Sequence, residues 1–138
     1  MKDIVHSFVS QNKLAVVSTI NESGKPESAL VGIAVTPGLE IVFDTVKSSR
    51  KYQNLLHHPH VAVTIGWDNE TTVQYEGEAM LLIDDAASDQ YRETYYTNWP
   101  DGRERTEKWE GLVHFKITPK WLRYSNFNDP VIIEEITF

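Results

Sequence analysis

The densest concentration of chemistry-bearing side chains is the run Asp44-Thr45-Val46-Lys47-Ser48-Ser49-Arg50-Lys51. Three of the thirteen Lys and Arg residues fall within five positions here, in a chain of formal net charge −7. Two serines stand beside them. If a helix begins at this point, its first backbone N–H groups lack intrahelical partners and its dipole is positive there. Free N–H groups, hydroxyls and cations together form a site for an anion, and a phosphate monoester is the obvious one. A capped helix start with solvated basic side chains uses the same residues, and the pattern alone leaves both readings open. Neither GxGxxG nor GxxxxGK[ST] occurs, so a phosphate bound here belongs to neither a dinucleotide fold nor a P-loop.

The elements that must position this run follow from hydrophobic period. Residues 3–12 place Ile4, Val5, Phe8 and Val9 on one helical stripe, with Asp3 as a cap. Residues 14–20 are rich in β-branched side chains and read as a strand; NESGKP is a turn, and residues 27–35 complete a hairpin. A third strand over 40–45 leads into the run. Residues 48–58 put Tyr52, Leu55 and Leu56 on one helical face, and Pro59 ends that helix. Over 60–67, Val61, Val63, Ile65 and Trp67 alternate with small Ala62, Thr64 and Gly66, which fits a barrel wall closely packed from outside. Residues 71–83 read as the longest strand, and Asp84 and Asp85 start a helix over 86–97. NWPDGRER reads as a loop, 107–118 and 120–126 as strands broken at Pro119, and 131–138 as a last short strand. Six or seven strands joined mostly by hairpins, with three short helices, predict a mainly β fold. The expected architecture is a single domain over 1–138, an antiparallel barrel with helices over its ends.

Composition narrows the function classes. A chain of 138 residues, 41% hydrophobic and 24% charged, is long enough for one core and is neither disordered nor low in complexity. Its acidity disfavours nucleic acid and anionic membrane as partners. The absence of cysteine excludes disulfides, thiolate metal sites and cysteine nucleophiles. No apolar run approaches a membrane span, and MKDIVHSFVSQNK has no signal-peptide core, so a cytoplasmic protein is expected.

The stretch IVFDTVKSSRKYQNLLHHPHVAVTIGW resembles the FMN-binding split-barrel family related to pyridoxamine 5′-phosphate oxidase. Thr45 stands at a strand end, Ser49-Arg50-Lys51 at a helix start, His58-Pro59 where Asn-Pro is usual, and Trp67 near the close of the next strand. GKPESALVGIAV upstream and TVQYEGEAML downstream are similar to the family's ring-facing strand and its long strand after the helix, so the resemblance covers residues 10–126. It implies a six-stranded split barrel, a homodimer, and FMN held in clefts between subunits. By position it implies that Ser49, Arg50 and Lys51 hold the phosphate. It places Asp44 and Thr45 beside the flavin and its ribityl chain, and Ala29, Leu30 and Val31 beside the ring. Thr72 stands where the oxidase has a flavin-contacting glutamine, and Gln74, on the same strand face, is the candidate substitute. Two departures separate the chain from the oxidase itself: Ala29 and Ala34 replace an Arg and a Lys, and nothing before Phe138 matches the oxidase's C-terminal Arg and His.

The expected function is therefore that of an FMN-dependent oxidoreductase acting on an unidentified small molecule, with no assigned catalytic side chain. The alternatives are a non-catalytic flavin-binding or stress-related protein, or a split barrel that binds haem or a deazaflavin. Haem would need a ligand such as His57, His58 or His60. No metal site is assigned, because Pro59 interrupts helical spacing within that histidine cluster. No GxSxG supports serine catalysis. Glu76 and Glu78 share an exposed or cleft-lining strand face with Gln74. Arg103 and Arg105 read as part of a surface ion network, and His114 as a surface or strand histidine facing away from Val113 and Phe115.

Overall fold

The computed structural model describes all residues 1–138. In chain order the elements are α1 (Lys2–Gln11), β1 (Leu14–Ile20), β2 (Pro26–Val35), β3 (Ile41–Val46), α2 (Arg50–His57) and β4 (His60–Ile65). There follow β5 (Thr71–Leu81), α3 (Ala86–Asn98), α4 (Gly102–Lys108), β6 (Leu112–Asn126) and β7 (Ile132–Thr137). All strands pair antiparallel in the order β3-β2-β1-β4-β5-β6-β7, and β3 also pairs with β6. That pairing closes β1–β6 into a six-stranded barrel and leaves β7 as an extra strand on its outside. No helix is long and apolar enough to cross a membrane.

Alternation produces the core. Val17, Ile33, Phe43, Ile65, Phe115 and Leu122 point inward and are buried. α1 covers one region of the barrel with Val5 and Val9, and its Phe8 meets Tyr124 edge-on at 5.9 Å. α2 contributes buried Leu55, and Tyr52 packs against Phe115. The Tyr75 hydroxyl donates to Leu39 O at 2.8 Å and Ile117 O at 3.2 Å, tying the β2–β3 turn to β6. A smaller cluster of Ala34, Val42, Leu82, Tyr95 and Tyr96 packs α3 onto the outer face of β2 and β3.

Several sequence expectations are corrected. Pro119 does not break β6. The register shifts between Glu76 and Gly77, where Gly77 faces Pro119 and Glu76 faces Trp121, so Lys120 bulges out of the ladder. A bulge is where a strand tolerates a residue without an N–H. Gly77 serves the same contact, since a Cβ there would lie 2.4 Å from Thr118 O. β6, with 15 residues, is consequently the longest strand, rather than β5 with 11. The expected loop after α3 contains α4, and residues 107–111 are not strand. Asp3 lies in the first turn of α1 but does not cap it. β4 ends at Ile65; Gly66 turns at φ +74, and Trp67 beyond it is exposed instead of continuing the inward face.

The feature that prepares a site is a gap. β2 and β3 pair only over Ile33–Val35 and Ile41–Phe43. Residues 26–32 of β2 pair with β1 alone. Ile33 N donates to Lys13 O, so by alternation the backbone groups of Ser28 and Leu30 face away from β1, into the gap. α2 begins beside this opening.

Candidate anion-binding site

The inward positions of β1, β2 and β3 turn polar at the end nearest α2: Thr19, Glu27 and Thr45 stand where the core residues stop. Ser49 is the N-cap of α2, its side chain accepting from Tyr52 N at 3.3 Å. The Ser49 hydroxyl lies 2.8 Å from that of buried Thr45, so β3 sets the position of the helix start. Asn54, buried one turn into α2, donates to Thr19 Oγ1 at 2.9 Å and to Glu27 Oε1 at 2.8 Å. Arg50 Nη1 reaches Glu27 Oε2 at 3.2 Å.

Two hollows meet at the Glu27–Arg50 pair. A narrow one of about 70 Å³ is bounded by Thr19, Ala29, Arg50 and Lys51. A wider polar one of about 490 Å³ is bounded by Ser48, Ser49, Gln53 and His57, and both share Glu27 and Arg50. Lys51 is half-buried and makes neither a hydrogen bond nor an ion pair; partial burial lowers its pKa, against the pull of Asp44. A desolvated ammonium without a partner, beside a capped helix start, is what an anionic group would complete. On that test the residues present suit a phosphate.

The sequence-predicted residues divide into four groups. Ala29, Ser49, Arg50 and Lys51 line the two hollows. Thr45 is buried against Ser49, and Val31 is a buried core residue. Leu30, Thr72 and Gln74 lie on the outer face of the barrel, where Leu30 pairs across Val16 to Thr64 and Gln74. Asp44 points away from the hollows toward α4, where Arg105 Nη2 donates to its Oδ2 at 3.2 Å. Lys47 lines neither hollow. Its N–H donates to Gly111 O, so the dense run of cations is spatially a pair, Arg50 and Lys51.

Three participants went unrecognised in the sequence: Thr19, Glu27 and Asn54. Glu27 had a local signal, because it alternates with Ala29 on the inward side of β2. Its partners are Asn21, in the turn after β1, and Asn54 and Arg50 of α2, and no local pattern connects β2 to α2. Elsewhere, His114 proves to be buried under α3, and its Nε2 has no hydrogen-bond partner. Arg103 pairs with Glu93, as an ion network requires, whereas Arg105 turns inward to Asp44 as well as pairing with Asp101. A separate hollow of about 580 Å³ includes neither Arg50 nor Lys51, and Glu76 and Glu78 line it with His60 and Lys120.

Residues 1–126 match the model of the family described as pyridoxamine 5′-phosphate oxidase. The chain belongs to this family. It is similar to the pyridoxine/pyridoxamine 5′-phosphate oxidase of Haemophilus influenzae, 29% identical over 98 residues that make up 70% of this chain and 47% of the relative. The family member described here thus spans about half the length of that curated relative. Among solved structures, a heme-binding protein from Mycobacterium smegmatis superposes with a TM-score of 0.84 at 12% identity, over 99% of this chain and 57% of the other. A pyridoxamine 5′-phosphate oxidase-related, FMN-binding protein from Nostoc punctiforme superposes with a TM-score of 0.70 at 10% identity, over 99% and 95% of the two chains. Both likenesses establish that this family member has the shared barrel fold.

Proposed function

We propose that this family member binds FMN and acts as a flavin-dependent oxidoreductase on a small molecule in the cytoplasm. The observation that carries the reading is Lys51, a half-buried ammonium without a partner at the helix start that opens onto the β2–β3 gap. Lys51, Ser49 and Arg50 would hold the phosphate. The backbone groups of Ser28 and Leu30 that face away from β1 would offer hydrogen bonds to the polar edge of a flat ring. Bound FMN would supply the redox chemistry, and the chain's own part is to bind, orient and tune it. Oxidation of pyridoxamine phosphate itself is not proposed, since Ala29 and Ala34 replace cations on which the oxidase relies.

A homodimer is part of this reading. Leu14 and Leu30 are exposed on the outer face of β1 and β2 with Val16 between them, and a second copy would cover this apolar strip beside the gap. Haem is the competing cofactor, but its candidate ligands His57, His58 and His60 are all exposed. Enzyme and flavin carrier differ in one test. Under anaerobic conditions, NADH or NADPH should bleach the flavin absorbance of the FMN-loaded protein. Inertness toward both and toward other small-molecule donors would favour a carrier.

A further inference from the structure

Glu27 is an acid at the centre of an anion site. Its Oε1 accepts from Asn54 Nδ2 at 2.8 Å, and its Oε2 from Arg50 Nη1 at 3.2 Å and Asn21 Nδ2 at 3.3 Å. The Glu27 side chain is only 19% exposed, whereas that of Arg50 is 72% exposed, so the carboxylate is the fixed partner and the guanidinium the mobile one. The hydrogen bond from Asn54, with that from Asn21 and the charge of Arg50, holds the Glu27 carboxyl below the usual carboxylate range, so it is ionised at neutral pH. Arg50 and Lys51 at the hollows are balanced by Glu27 and by the exposed Glu22 at the rim of the wider one, so with His57 neutral the charged lining sums to zero. A phosphate monoester brings almost two negative charges.

We infer that Glu27 is the specificity-determining residue of this site, a built-in counter-anion that a phosphate must displace from Arg50 before it can bind. The inference rests on the anion-site reading above. It follows from the position of the pair, which forms the common wall of both hollows. A bare phosphate meets the carboxylate as a like charge. A phosphate ester with hydroxyls next to the phosphate presents donors to the same carboxylate, so part of the repulsion is replaced by hydrogen bonds. Glu27 therefore selects hydroxyl-rich phosphate esters by rejecting simple anions as well as by attraction.

The test compares Glu27→Gln with the unaltered protein by calorimetric titration, using inorganic phosphate and FMN as separate probes. The amide keeps the shape and an acceptor oxygen for Asn54, but removes the charge. The variant should bind inorganic phosphate about tenfold more tightly, as expected for release of one charged hydrogen bond. FMN should gain less, so its preference over phosphate narrows. A gain in affinity cannot arise from damage to the fold. Unchanged or weaker phosphate binding by the variant, with FMN still bound by the unaltered protein, overturns the role of Glu27 and leaves the site standing. An equal gain for both probes overturns Glu27 as a specificity determinant. If neither protein binds either probe, the anion-site reading and this inference fall together.

Discussion

Replacing Arg50 and Lys51 together by alanine is expected to weaken FMN binding about 100-fold, or roughly 2.7 kcal/mol. Two charged hydrogen bonds at full strength would contribute about 1.5–3 kcal/mol each. Arg50 must be discounted, because its side chain is largely in water and already shared with Glu27. Lys51 is half-buried and unshared, so Lys51→Ala alone should account for the larger part. Arg50→Ala alone should have the smaller effect, because water screens the guanidinium and Glu27 already engages it. The measurement is a fluorescence titration of FMN at two salt concentrations, where loss of the cations should also flatten the salt dependence. An FMN affinity unchanged in the double variant would reject these residues as the phosphate site.

The second large effect belongs to His114. It is 2% exposed, with the rings of Tyr95 and Tyr96 edge-on at 5.3 Å and 5.5 Å. Burial pushes its pKa from 6.5 down to about 4, with Arg92 and Arg105 acting in the same direction and Asp44 against them. The fold therefore keeps the imidazole neutral. Below pH 6.5 the unfolded chain takes up a proton that the folded chain refuses until about pH 4. Stability from this group is complete above pH 6.5 and declines as pH falls toward 4, by up to about 3 kcal/mol. Denaturant unfolding between those limits should show this slope, and His114→Phe should remove it while other groups keep theirs. Because Nε2 is buried without a partner, the variant should be at least as stable as the parent at pH 7. Equal slopes for the two proteins would contradict the assignment.

The barrel was legible because its strands alternate. Val61, Val63 and Ile65 predict the inward face of β4, and Asp85 caps α3 by accepting from Ser88 N at 2.7 Å, as an acid before a helix should. α4 was not legible: GRERTEK has no apolar stripe, and the helix is held by tertiary partners, Asp44 for Arg105 and Tyr96 for Thr106. Pro119 misled because a breaker in one strand is neutralised by a glycine in its neighbour, and the two lie 42 positions apart (119 − 77).

The site was half legible for the same reason. Ser49, Arg50 and Lys51 are consecutive, so their grouping survives folding. Lys47 is equally close in sequence, yet the turn before α2 sends its backbone to Gly111. The acidic partner of Arg50 lies 23 positions away on β2 and can be found only from the pairing of β1 with β2 and the seating of Asn54 on Thr19. Charge density along a sequence thus overstated the positive charge at the site in space.

The most direct test is the absorbance spectrum of the protein purified without added cofactor, followed by mass analysis of whatever denaturation releases. A flavin spectrum and the mass of FMN, or saturable uptake of FMN by the colourless protein, is the predicted result. A Soret band with haem released, or a protein that takes up no flavin at any concentration, would contradict it.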